Sequence, residues 1–181
     1  MDMDVIELFL TVATLKDIKR TGWVNRGVSD PESVADHTFG TALLSLLLPV
    51  PADVDRELLV KMAILHDLGE SLIGDIVCEE HTIINSAKME QKKKDETSAI
   101  KSLLHDREEL QEIALDYMYQ RSSTARYLKE LDKLEMVLQA FFYETHRDDN
   151  VSLQEFWDSS QKYLKTPSII ELFQSLKDRR L

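Results

Sequence analysis

Only 5 glycines and 4 prolines interrupt 181 residues, and between them apolar side chains recur at three-to-four spacing. So few breakers cannot supply the turns of a β-sheet, whereas a period near 3.6 is what an amphipathic helix with one buried stripe requires. The fold class expected is all-α. A first helix is predicted over residues 4–19, with Val5, Leu8, Phe9, Val12 and Leu15 on its buried face, followed by a loop holding Gly22, Gly27 and Pro31. Ser33 with Asp36 three residues on is a capping-box variant that opens a helix running through His37 to Leu48, where Pro49 and Pro51 stop it. Asp53 is expected to open the next helix, which leads into His66-Asp67, and Gly69 and Gly74 bracket a sharp turn. Further helices are predicted over residues 80–104, 107–119, 124–145, 153–164 and 168–176.

A chain of this length fits one domain, 1–181, with a core at about 30–140 and C-terminal helices at 150–181 packing on it. Its 43% hydrophobic and 30% charged residues suit a soluble globular protein rather than a disordered one. The longest apolar run, residues 42–50, is well short of the roughly 20 residues a membrane span needs, so no membrane partner is expected. The N-terminus, Met1-Asp2-Met3-Asp4, is acidic where a signal peptide would be positive, which predicts a cytoplasmic protein. Cys78 is the single cysteine, which rules out an intrachain disulfide and a Cys-rich zinc site and reads as a packing residue. A formal net charge of −11 opposes binding to nucleic acid. It leaves room for a small phosphorylated substrate, because a metal ion and a few local cations can reverse the potential inside one cleft.

The residues that carry chemistry fall in four pieces: Glu32-Ser33-Val34-Ala35-Asp36-His37, His66-Asp67-Leu68-Gly69-Glu70, Gly74-Asp75 and Leu131-Asp132-Lys133-Leu134-Glu135. A lone histidine near a helix start is more often a cap or a satisfied core residue than a ligand, but the set together offers imidazole and carboxylate to one ion. That donor mixture suits Mn²⁺, Fe²⁺, Co²⁺, Ni²⁺ or Zn²⁺ better than Ca²⁺ or a thiophilic metal. Neighbouring residues on a helix point about 100° apart, so His66 and Asp67 share an ion most easily at a helix end, which Gly69 would supply. Two readings of Asp132 stand side by side: a ligand on the edge of an apolar stripe, or a solvated position beside Lys129 and Lys133.

The order of these pieces resembles the HD-domain family, and within it the 5′-deoxynucleotidase branch, over residues 8–146. The stretch Lys16-Asp17-Ile18-Lys19-Arg20-Thr21-Gly22-Trp23-Val24-Asn25-Arg26-Gly27 resembles the aromatic and arginine-bearing loop that precedes the first metal histidine of that branch. The resemblance implies an HD-domain helical bundle with a metal site between its central helices. It implies His37, His66, Asp67 and Asp132 as ligands of one divalent ion (Mn, Co, Fe, Ni, Zn or Mg), with Glu70 and Asp75 acting on water and phosphate; we assign Glu70 to the water and Asp75 to proton delivery to the leaving group, with the exchanged assignment as the alternative. Trp23 would meet sugar or base, or else anchor the loop on the first helix. Arg20 or Arg26 would meet phosphate, and Glu32 would bond sugar, ligand or backbone. In the bacterial enzymes of the branch an arginine directly precedes the tryptophan, whereas this chain has Gly22 there.

The activity so implied is metal-dependent hydrolysis of nucleoside 5′-monophosphates, deoxy forms above all, by a homodimer. The alternatives are an HD phosphohydrolase acting on a cyclic nucleotide, guanosine tetraphosphate or a nucleoside triphosphate, and a non-catalytic nucleotide or metal sensor. Apolar stretches at residues 140–143 and 169–173 offer either an oligomer interface or core. His81, His105 and His146 fall outside the motif positions and read as surface or helix-end residues. The acidic pair Asp148-Asp149 reads as a loop. Lys92-Lys93-Lys94 reads as a solvated face, or as the source of one lysine reaching the phosphate cleft.

Overall fold

The computed structural model describes residues 4–77, 83–147 and 151–180. Cys78, His81, Asp148 and Asp149 lie outside them. The described residues form ten α-helices: α1 (Val5–Ala13), α2 (Thr21–Asn25), α3 (Val34–Leu47), α4 (Arg56–Leu65), α5 (Glu70–Ile73), α6 (Ile83–Leu103), α7 (Glu108–Tyr119), α8 (Ser123–His146), α9 (Gln154–Gln161) and α10 (Pro167–Arg180). The all-α expectation holds: no strand occurs among the described residues, only an isolated antiparallel bridge between Lys19 and Ser33. None of the described helices is long and apolar enough to cross a membrane.

Helix α8 is the axis of the fold. Ser122 caps it by accepting from the Ala125 amide, and Leu128, Leu131, Leu134, Val137 and Ala140 form a fully buried stripe at three-to-four spacing. Against it pack α3, α4 and α7, and also α9 and α10. Helix α3 starts where the sequence predicts. Ser33 Oγ accepts from the Asp36 amide at 3.1 Å, and Asp36 Oδ2 accepts from the Ser33 amide at 2.8 Å. Helix α4 starts two residues later than expected: the Val54 amide bonds back to the Pro51 carbonyl, so Asp55 rather than Asp53 takes the cap, accepting from Glu57 and Leu58.

Two other expectations change. The first helix ends at Ala13 and tightens into a 3₁₀ turn over Thr14–Lys16, and the chain then extends so that the Ile18 carbonyl accepts from the Val34 amide. Of its expected buried face, only Leu15 is buried, while Val5 and Phe9 are exposed. The predicted loop contains α2, because residues far along the chain fix its start: Asp75 Oδ2 accepts from the Thr21 amide and the Asp75 carbonyl from the Thr21 hydroxyl, each at 2.6 Å. Residues 140–143 and 169–173, open between interface and core in the sequence, are mainly core: Ala140, Tyr143, Ile169 and Phe173 are buried, and of their apolar side chains only Phe142 and Ile170 stand substantially exposed. The exposed apolar surface lies instead on α1 (Val5, Ile6, Phe9, Leu10) and α3 (Phe39, Leu43, Leu46, Leu47).

Candidate metal and catalytic site

The site is built where α4 gives out. After Leu65 the backbone passes through successive three-residue turns: the Leu68 amide bonds to the Leu65 carbonyl, Glu70 to Asp67, and Ser71 to Leu68. With three residues per turn, positions i and i+3 fall on the same side, which brings Glu70 to the side of Asp67. Gly69 does not end the helix by a left-handed turn; its φ is −59°. A Cβ there would lie 3.5 Å from the Glu96 carbonyl oxygen and 3.6 Å from Ala99 Cβ, ordinary contact distances, so neither backbone conformation nor space requires glycine at this position. The left-handed turn comes at Gly74, φ +77°, and directs Asp75 back to α2.

His66 Nδ1 is 2.7 Å from the Ala63 carbonyl, which can only accept, so Nδ1 carries a proton and Nε2 is the ring nitrogen that faces inward. His37, from the second turn of α3, sets Nδ1 against Glu135 Oε2 at 2.5 Å and turns its own Nε2 to the same point. The two Nε2 atoms are 3.3 Å apart. Asp67 Oδ2 lies 3.2 Å from His66 Nε2 and 3.8 Å from His37 Nε2, and Asp132 Oδ1 lies 3.3 Å from His37 Nε2. Donors bound at about 2.1 Å to a single ion lie about 3 to 3.5 Å from one another when they share an edge of its coordination shell. Two imidazole Nε2 atoms turned to each other at such a separation, with both Nδ1 atoms held by acceptors, suit a shared cation. His37, His66 and Asp132 bring ligand atoms within 4.8 Å of one another, so the donor set fits a divalent metal.

The far side of each ligand is tied. Asp132, which the sequence left open between ligand and surface, is buried; its Oδ2 accepts from Lys129 Nζ at 2.8 Å and from the Tyr117 hydroxyl at 3.0 Å, leaving Oδ1 for the centre. Arg20 sets its guanidinium 3.6 Å from Asp67 Oδ2 and 3.9 Å from Asp75 Oδ1. Burial opposes its charge, but Asp67 and Asp75 outweigh that and hold it firmly protonated. Burial is also the largest influence on Asp67, pushing its carboxyl up, yet His66 and Arg20 hold it well below the usual carboxylate range. Glu70 goes the other way. Burial first, then the charges of Asp67 and Asp75, push it well above the usual range, and its Oε2 is buried without a hydrogen-bond partner. Carboxylates outnumber cations around this hollow, which is the electrostatic counterpart of the donor geometry.

Of the residues singled out in the sequence, His37, His66, Asp67, Asp132, Glu70, Asp75 and Arg20 come together. Arg26 does not join them; it pairs with Glu155 of α9 at the surface. Trp23 is a buried anchor, with its ring partners on α9 and α8 where the sequence reading named the first helix. It is 1% exposed, packs on Phe156 at 4.0 Å and edge-on to Tyr143, and donates Nε1–H to Glu32 Oε1 at 2.8 Å. Burial, followed by Glu135, pushes Glu32 up to about 7. Lys92 is the lysine of its triplet that reaches inward, with Nζ 3.9 Å from Glu70 Oε1 and bonded to the Ile76 carbonyl. Sequence reasoning gave no role to Glu135, Tyr117 or Lys129. An acid on the buried stripe of α8 was the one available signal, for Glu135. The hollow beside His66, Asp67 and Glu70 holds about 10 Å³, room for little more than a water or an ion. A larger cleft of about 350 Å³ lies on the other side of His37, lined by Glu32, Phe39, Glu135, Tyr143 and Arg147 among others.

An all-helical bundle that brings an upstream histidine, a His-Asp pair at a helix end and a distant aspartate to one point defines the HD-domain class. The HD-domain family pattern matches residues 12–170, and the chain belongs to that family. It is 34% identical over 179 residues to the Danio rerio protein named 5′-deoxynucleotidase HDDC2, covering 98% of this chain and 88% of that one. The Dictyostelium discoideum protein of the same name is 36% identical, with 94% and 93% covered. Among solved structures, a Pyrococcus horikoshii protein superposes with a TM-score of 0.76 at 35% identity, covering 95% of this chain and 98% of that chain.

Proposed function

We propose that this protein is a metal-dependent phosphomonoesterase that hydrolyses deoxyribonucleoside 5′-monophosphates to nucleoside and phosphate. The observation that carries the reading is the convergence of His37 Nε2, His66 Nε2, Asp67 Oδ2 and Asp132 Oδ1, beside Glu70, Asp75 and Arg20. The activity borne in the names of relatives at 34 and 36% identity over nearly the whole chain supports the same substrate class. A divalent ion held by these four residues would lower the pKa of water and neutralise phosphoryl oxygens.

The chain's own groups divide the remaining work. Arg20, fixed between Asp67 and Asp75, offers its guanidinium edge to the phosphate. Glu70 Oε2, on the side of Asp67, orients the attacking water and takes its proton as oxygen adds to phosphorus. Asp75 uses Oδ2 to accept from the Thr21 amide and turns Oδ1 towards the site, where it delivers a proton to the 5′-oxygen as the P–O bond breaks. Trp23 and Glu32 act from behind, holding α2 and the start of α3 in place.

Phosphate release from a panel of deoxy- and ribonucleoside 5′-monophosphates, with Mn²⁺, Co²⁺ or Mg²⁺ added, tests this reading. Metal-dependent release from the deoxy substrates is expected. No release from any monophosphate by protein that binds metal would sink it and redirect attention to cyclic nucleotides, polyphosphates or sensing. A deoxynucleoside monophosphate is a charged metabolite, and the cytoplasm is where we expect the enzyme to meet it.

The exposed apolar side chains of α1 and α3 support a homodimer, since surfaces of this kind mark association sites. Light scattering is expected to give about twice the chain mass of 20.9 kDa, and Phe9→Glu with Phe39→Glu to give the monomer. A wild-type monomer at micromolar concentration would remove the dimer from the account.

A further inference from the structure

Glu135 is buried on α8, one turn after Asp132, and its Oε2 is 2.5 Å from His37 Nδ1. The partner across that bond lies 98 residues away in the chain, so the contact is made by the packing of α3 on α8. Helix α3 carries a glycine in mid-helix, Gly40, at a cost of about 1 kcal/mol relative to alanine. Its φ is unremarkable, so no backbone conformation requires glycine there. What requires it is Glu135: a Cβ on Gly40 would lie 2.6 Å from Oε1, 3.0 Å from Cγ and 3.2 Å from Cδ of that residue. The carboxylate therefore lies flat against the bare backbone of α3, in the one spot from which Oε2 reaches His37 one turn earlier.

We propose that Glu135 is a positioning residue that fixes the ring orientation and tautomer of His37 so that Nε2 faces the metal, and that Gly40 serves to seat its carboxylate. The inference rests on the reading of His37 as a metal ligand. A carboxylate accepting the distal N–H of a ligating imidazole raises its basicity and fixes its direction, and loss of such a partner typically costs about 10- to 100-fold in metal affinity. Among the described contacts, His66 takes its orientation from the backbone carbonyl of Ala63, so the two imidazoles are held by different means. Only that of His37 depends on a replaceable side chain.

Gly40→Ala is the sharpest test, because it alters neither ligand nor carboxylate. The clash falls on the far end of a flexible side chain, so the carboxylate should swing away while α3 gains helix propensity. Mn²⁺ affinity would be measured by isothermal titration for wild type, Gly40→Ala, Glu135→Gln, Glu135→Ala and His37→Ala, with metal-free thermal melts of each. Expected are a loss of about 10- to 100-fold in Gly40→Ala and Glu135→Ala, a smaller loss in Glu135→Gln, whose amide oxygen still accepts from Nδ1–H, and the largest loss in His37→Ala. Melting of Gly40→Ala should be unchanged or raised. Wild-type affinity in both Gly40→Ala and Glu135→Ala, with His37→Ala impaired, would overturn the positioning role and leave the metal site standing. Wild-type affinity in His37→Ala would overturn the site itself.

Discussion

Asp67→Ala should remove metal binding and phosphate release together, lowering turnover at least about a thousandfold, because several kcal/mol of transition-state stabilisation depends on the ion. The side chain has three tasks. Its Oδ2 lies within 4 Å of both imidazole Nε2 atoms, and the same oxygen is Arg20's nearer anionic partner. Its charge is also the largest electrostatic contribution, after burial, that pushes Glu70 up. Removing it leaves the histidines without the negative charge that recruits a cation and frees Arg20 to swing towards Asp75 alone. Titration with Mn²⁺ and phosphate release from a deoxynucleoside 5′-monophosphate are to be read on the same preparation. Turnover within tenfold of wild type would show that Asp67 is not a ligand.

Glu70→Gln should separate what Asp67→Ala loses at once. Glutamine keeps the size of the side chain and its seat beside Asp67 but cannot take a proton, so turnover should fall by about 10²- to 10⁴-fold, the usual worth of a general base. Metal affinity should change little, because burial and the charges of Asp67 and Asp75 already disfavour the anion and the substitution therefore removes little negative charge from the site. The measurement is kcat under saturating substrate beside an Mn²⁺ titration. A variant that binds metal and turns over normally would pass the water-positioning role to Asp75, for which Asp75→Asn is the parallel experiment.

How much of this was open to a reader of the sequence depends on the range of each interaction. The capping box at Ser33 and Asp36 is a four-residue affair and reads directly. So does the stripe of α8, which follows from spacing alone. The ligand set was legible through resemblance and donor chemistry, but the burial of Asp132 was not, since Lys129 and Lys133 at its side look like solvent neighbours. The structure turns the Lys129 ammonium onto Asp132 Oδ2, so a solvated-looking charge is part of the ligand's anchor. Helix α2 was hidden because Asp75, 54 residues on, secures its first turn. Gly69 reads in the sequence as a helix end, but its φ of −59° is helical and a Cβ there would make only ordinary contacts with α6. The apolar face of α1 has a helical period whether it meets the core or a partner, and periodicity cannot tell the two apart.

The successive three-residue turns that carry Leu65 into Ser71 have a consequence for how such a chain can vary. Because a 3₁₀ step brings Glu70 to the side of Asp67, one residue inserted or deleted between them would rotate the acid by about 120° about the local axis. No side-chain substitution could restore it. A loop between helices can lengthen at little thermodynamic cost, since doubling its length costs only about 0.6 kcal/mol. Between Asp67 and Glu70, by contrast, we expect length itself to matter, so that the two intervening residues tolerate substitution better than a change in their number.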